Sequence, residues 1–319
     1  MTMTDRVLVV LLALASAPLG SAFVAPKRAT AWHSASFRLQ IAKNAIETLD
    51  ASQKASVDEI AAAIPDLAPK PDLAWGPQDG VTIAGCAATL DARDAAGPAN
   101  VAWLSSLCIA SKESSLTIFN GPLTDVPHLL SRCCVVNDNT LVFSLDFRPR
   151  AYGAYEMKGA DGNYPGPNEL GRKAFEYSGA RMDYFNKFAN DEVVQFLDSF
   201  KESLEGATDS TEPTSEEAKL TKGPYAMSLT MPLSIKNLEA IVAARKKAAS
   251  YWLQWAVDPQ HQHKPGAPIN TQYVYDSKYK IQAYGALLPI YKELYGDEGP
   301  ALTAAESGPL DEAYVGGGS

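Results

Sequence analysis

Between residues 80 and 148 apolar and polar positions come in short runs, "GVTIAGCAATLD", "VAWLSSLCIAS", "SLTIFNG", "VPHLLSRCCVV" and "TLVFSLDF", separated by Gly, Pro, Asn and Asp. Runs of this length, closed by turn-forming residues, predict consecutive strands with tight connections and therefore a mainly antiparallel sheet. On both sides of this block the apolar spacing becomes helical. Residues 43–64, "KNAIETLDASQKASVDEIAAAI", predict one or two surface helices that the Pro-rich "PDLAPKPDLAWGPQDG" ends. After residue 150 a Gly/Pro loop leads to helix-like "RKAFEYSGARMDYFNKF" and "DEVVQFLDSFKESLEG". The acidic, Ser/Thr-rich stretch at 206–222 predicts a flexible surface loop within the domain. One more strand, "YAMSLTMP", precedes an amphipathic helix from Ser234, its candidate cap, to Trp255. A last helix is expected over about 278–295, where Pro289 demands a kink or a fresh start. The expected architecture is an α/β/α sandwich, a central mainly antiparallel sheet flanked by helices on both sides. It forms one domain over residues 41–300, followed by a disordered tail at 301–319.

The first residues break this texture. "MTMTDRVLVVLLALASAPLGSA" sets Arg6 before an apolar run too short to span a bilayer comfortably and ends in small residues, as a signal peptide does. Residues 23–40 continue it with a basic, Ser/Ala-rich stretch, and no acid occurs from there until Glu47, which is transit-peptide composition. The pair, with Phe23 at the junction, resembles the two-part presequence of algae with complex plastids. That implies import into the plastid stroma; plain secretion is the alternative. No other apolar run approaches the roughly 18–20 residues of a membrane span, so an integral membrane protein is not expected.

Composition narrows the chemistry. The formal charge is −9 over 319 residues and falls to about −12 once the presequence is removed. A nucleic-acid partner is not expected from such a chain, since phosphate neutralisation needs clustered Lys and Arg. Cys86, Cys108, Cys133 and Cys134 match no zinc spacing, and adjacent cysteines rarely bridge, so buried thiols are expected. His261 and His263 sit in a Pro/Gln-rich stretch with no third ligand nearby, and no metal site is expected. No Gly-rich dinucleotide loop follows a strand, and the chain has no P-loop, H-E-x-x-H or G-x-S-x-G. Any redox chemistry needs an external electron source.

Residues 124–150, "TDVPHLLSRCCVVNDNTLVFSLDFRPR", resemble the central hairpin of the ferredoxin-dependent bilin reductase superfamily, which includes red chlorophyll catabolite reductase. "GPYAMSLTMPLSIKNLEAIVAARKKAASYWLQW" is similar to that family's late strand and long helix, and "TQYVYDSKYK" with "LLPIYKELYG" to its closing segment. The likeness covers about residues 80–296. It implies a linear tetrapyrrole between the sheet and the C-terminal helices, no bound cofactor, single electrons from ferredoxin and protons from acidic side chains. It also implies a role in chlorophyll catabolism.

Strand alternation places His128, Leu130, Arg132 and Cys134 on one face. The family pattern puts its pocket carboxylate at position 132, where this chain has Arg. A guanidinium donates no proton at physiological pH but pairs bidentately with carboxylates. Arg132 therefore reads as a propionate-binding residue, with a salt bridge to a helix acid as the alternative. His128 is the substitute proton donor by chemistry, and the alternative is a histidine hydrogen-bonded to backbone at the strand entrance. The family's second acid falls on Gly285, leaving Asp276 as the nearest carboxylate or, alternatively, a helix cap. A histidine of some members falls near Ser115. Asp146 matches the strand ending; Arg148 and Arg150 are candidates for propionates or ferredoxin. Cys134 shares the Arg132 face, and Tyr275, with Tyr273, Tyr279 and Tyr284, either lines the pigment or packs helices. The missing carboxylates leave open a tetrapyrrole carrier without chemistry, or a plastid assembly partner with an empty pocket. Ferredoxins are acidic, so docking on so acidic a chain needs a local basic patch, for which Arg148, Arg150, Lys158, Arg172 and Lys173 are available.

Overall fold

The computed structural model describes residues 31–64, 67–69, 81–88, 101–109, 113–121, 124–136, 139–149, 184, 186–210, 223, 225–258 and 269–307. Helix α1 (Ala31–Ala63) buries Ile46, Leu49, Gln53, Val57, Ile60 and, just past its end, Ile64. These positions recur every three or four residues, a single stripe toward the sheet. The strands are β1 (Leu67–Pro69), β2 (Val81–Ala88), β3 (Val101–Ile109), β4 (Glu113–Asn120), β5 (His128–Val136) and β6 (Thr140–Arg148). Helix α2 (Asp191–Ser203), β7 (Thr208–Asp209), β8 (Met227–Pro232), α3 (Ile235–Val257), α4 (Ile269–Tyr295) and α5 (Gly299–Ser307) follow among the described residues.

The strands join in the order β1-β2-β3-β4-β5-β6-β8-β7, every pair antiparallel. Side chains alternate between two helical layers. Leu104, Leu116, Ile118, Leu129, Leu141 and Phe143 join the core built with α1, α2 and α3. Trp103, Ser105 and Leu107 instead touch α5, and His128 touches α4. The expected α/β/α sandwich is therefore what forms.

The elements also end where their caps dictate. Ser234 Oγ accepts from Asn237 N at 3.1 Å, so α3 begins one residue beyond the expected cap. Asn190 caps α2 by accepting from Val193 N. Pro289 lies inside α4 without ending it. Tyr291, beyond the proline, is fully buried against Leu107 and α5, and this packing offsets the missing backbone bond. Helix α4 also starts well before 278.

Two expectations are corrected. Residues 301–307, expected in a disordered tail, belong to α5, where Leu302 and Ala305 are buried. Pro300 at the first turn and the Ala-rich run favour a helix, and Gly296 (φ 57°) turns the chain back out of α4. Gly299 is required at the crossing: a Cβ there would lie 2.6 Å from Lys292 N. The loop expected at 206–222 starts with ordered backbone, since Thr208 and Asp209 pair with β8. Residues 211–222, the residues up to 30 where the presequence is expected, and most of the helix expected near 172–188 lie outside the described residues. No helix among the described residues is long and apolar enough to cross a membrane.

Candidate functional site

The face of the sheet beneath α4 and α5 carries two polar clusters. The first is at the start of β5. His128 is 1% exposed, and its Nδ1 accepts the backbone N–H of Asn120 at 2.9 Å. The hydrogen of the neutral ring therefore sits on Nε2, which faces Asp276 Oδ1 at 3.1 Å. The Phe119 ring meets the imidazole edge-on at 5.0 Å. Asn120 pins the strand entrance through the Val126 and Pro127 carbonyls, both at 2.9 Å, and Trp252 Nε1 donates to Pro127 O at 3.1 Å. His128 thus makes the backbone contact of the alternative stated for it and also meets a carboxylate on α4. Asp276 is the eighth residue of α4, too deep for a cap.

The second cluster lies four residues on, ~13 Å along the strand. Arg132 Nε and Nη2 donate to the two oxygens of Glu113 at 2.6 and 3.0 Å. Tyr291 Oη donates to Glu113 Oε1 at 3.0 Å and accepts from Arg132 Nη2 at 3.3 Å, so α4 closes the cluster. Ser115 Oγ donates to Glu306 Oε2 at 2.5 Å, and Glu306 Oε1 is 4.0 Å from Arg132 Nε. Burial works against the charge of Arg132, yet the surrounding Cys134, Glu113, Tyr291 and Glu306 hold its pKa well above the ordinary value. Burial also pushes the Cys134 thiol well up, so it is a protonated neighbour of Arg132 and no nucleophile.

Of the residues singled out in the sequence, His128 and Asp276 meet. Arg132 pairs with Glu113 on the adjacent strand at 2.6 Å and, at 4.0 Å, with Glu306 of helix α5, so the salt-bridge alternative forms, with its shorter contact to a strand acid. Arg148 is buried on β6 as the cross-strand neighbour of His128. Asp146 holds the strand end, accepting from Gly223 N at 2.9 Å. Gly285 lies exposed on α4. Tyr275 precedes Asp276 on α4, but its side chain, like the whole of Arg150, His261 and His263, is outside the described residues. Among the described residues no cluster of His, Cys, Asp or Glu is arranged for a metal. The sequence reading missed Glu113, Tyr291 and Glu306. Glu113 shares the β4 alternation with Ser115, but only the register Glu113↔Cys134 and Ser115↔Arg132 brings it to Arg132.

No family model and no curated protein matches the sequence. Among solved structures, phytochromobilin synthase from tomato, crystallised in complex with biliverdin, superposes with a TM-score of 0.50 at 14% identity, over 79% of this chain and 80% of that one. The two chains share a fold. The likeness in fold runs through the sheet and the helices on both of its faces.

Proposed function

We propose that this protein binds a linear tetrapyrrole beneath α4 and α5 and reduces it with single electrons from ferredoxin, holding no cofactor of its own. The observation that carries this reading is the His128–Asp276 contact. It sets a proton-bearing imidazole nitrogen against a carboxylate on the side of the sheet where the resemblance places the pigment. Two groups so joined store one transferable proton, which a double-bond reduction consumes. The shared fold supports the same pigment class. Arg148 and Arg150 are the candidates for propionates or for ferredoxin, Cys134 and Tyr275 for the pigment's flank. Red chlorophyll catabolite and a biliverdin-type bilin are the two substrates proposed, and the two-part presequence is the reason to place the reaction in the plastid stroma.

One observation favours a second reading, a tetrapyrrole carrier. Position 132 has no carboxylate, and the arginine there is already engaged by Glu113. The test is a titration of the full-length chain with biliverdin and with red chlorophyll catabolite, followed by reduced ferredoxin without oxygen. A shifted absorption band that then bleaches is expected, and His128→Gln should abolish the bleaching. A shift without bleaching leaves the carrier, and no shift with either pigment sinks both readings.

A further inference from the structure

The resemblance asks for a carboxylic acid at the position of Arg132, and the strand supplies none. Helix α5 brings one from outside the sheet. Glu306 is the eighth residue of α5, and the residues beside it are fixed. Leu302 and Ala305 pack on Leu107 and Tyr291, and the Ala305 carbonyl accepts from Trp103 Nε1 at 3.1 Å and Ser105 Oγ at 2.5 Å. The Glu306 carboxyl group is thereby set against β4 and β5, with Oε2 on the Ser115 hydroxyl and Oε1 4.0 Å from Arg132 Nε.

This carboxyl group is the second acid at a site where Arg132 makes its short contacts to Glu113 and only a longer one to Glu306. Both Glu113 oxygens receive Arg132 N–H groups, and Tyr291 donates to one of them. Glu306, 12% exposed, has the Ser115 hydroxyl and a longer contact to Arg132. The charged and titratable groups around it are Glu113 on β4, Arg132 and Cys134 on β5, Tyr291 on α4 and, from the opposite face of the sheet, Arg245 on α3. Burial first, then Glu113, raises its pKa above the ordinary carboxylate value, against the pull of Arg132, Ser115 and Arg245. Such a group keeps its proton to higher pH than a solvated glutamate does.

We propose that Glu306 is a proton donor to the pigment on this face, standing in for the carboxylate absent at position 132. The proposal rests on the tetrapyrrole reading above. A reduction takes two electrons, delivered singly by a reduced iron–sulfur protein, and two protons. One proton comes from Glu306: its O–H bond breaks as a bond to hydrogen forms on the tetrapyrrole. The carboxylate left behind is stabilised by Arg132 and Ser115 until solvent returns a proton. The other proton comes from the His128–Asp276 pair.

The experiment compares full-length wild type, Glu306→Gln and Glu306→Asp, with biliverdin as pigment and reduced ferredoxin as donor. Glu306→Gln should bind biliverdin as wild type does and lose about 10²–10⁴-fold in turnover. The wild-type rate should fall as pH rises through the Glu306 pKa; that limb should be missing from the residual Glu306→Gln rate and return in Glu306→Asp. Wild-type turnover and pH profile in Glu306→Gln overturn the proposal while leaving the function reading intact. Infrared titration without pigment separates the two further. A protonated-carboxyl C=O band that persists above the ordinary carboxylate range in wild type and vanishes in Glu306→Gln is expected even if biliverdin is not the ligand. Its absence in wild type overturns the proposal whatever the pigment.

Discussion

Strands β4, β5 and β6 present two different sequences to the two faces of one sheet. Toward α1, α2 and α3 they turn Leu116, Ile118, Leu129, Leu141 and Phe143, which interlock with Phe200, Ile241 and Trp252. Toward α4 and α5 they turn Glu113, Ser115, His128 and Arg132, whose side chains meet ionisable groups of those helices or of the neighbouring strand. A period of two lets a single strand carry a packing code and a chemical code without mixing them. The packed face should therefore respond to lost volume and the polar face to lost charge partners.

The largest expected effect is on the packed face. Trp252 is fully buried and its indole N–H holds the Pro127 carbonyl, so Trp252→Ala removes both volume and a hydrogen bond. A loss of about 3–5 kcal/mol is expected in urea unfolding. A loss under about 1 kcal/mol would mean that this layer is not the stabilising one.

On the polar face the comparable lesion is electrostatic. Arg132→Met leaves Glu113, whose side chain is 6% exposed, without its cation. Breaking such a pair costs about 3 kcal/mol or more, whereas removing both charges is often neutral. Arg132→Met/Glu113→Gln should therefore unfold at a urea concentration close to that of wild type although Arg132→Met alone does not. A double variant as unstable as the single one would show that Arg132 contributes through packing on Tyr291 instead.

What the sequence discloses follows the same division. The six longer strands, the cap at Ser234 and the shared face of His128, Arg132 and Cys134 depend on local periodicity, and all appear as expected. The three-residue β1, inside a Pro-rich connector, and the two-residue β7 are too short to show a period. Glu113 and Glu306 needed cross-strand register and the packing of a separate helix, neither of which is local. Helix α5 is hidden in the sequence because its final residues run into a Gly-rich end, while the Gly299 crossing and the buried Leu302 that hold it are tertiary features.

Gln53 is the exception that sharpens the division, a polar residue in the apolar stripe of α1. Its amide nitrogen donates to Ser106 Oγ and Ser115 O, each at 2.6 Å, and its oxygen accepts from Ser114, which also accepts from Arg245. Gln53→Leu retains the volume but leaves those buried groups short of partners, so about 1–3 kcal/mol should be lost. A neutral outcome would mean that the packed face tolerates this polar layer without needing it.

The smallest effect should appear as a slope with pH. Because the Glu306 pKa is raised in the folded chain, the folded state keeps a proton that the unfolded state releases above the ordinary carboxylate pKa. Stability should then fall as pH rises from that ordinary value to the raised one and be unaffected by this group outside the window. Glu306→Gln, which cannot titrate, should remove that part of the slope and leave the rest of the pH profile unchanged. Urea midpoints measured across the window for both chains decide the point. Parallel profiles would mean that Glu306 is ionised like a solvated acid, and that the polar face holds its second carboxylate as a charge.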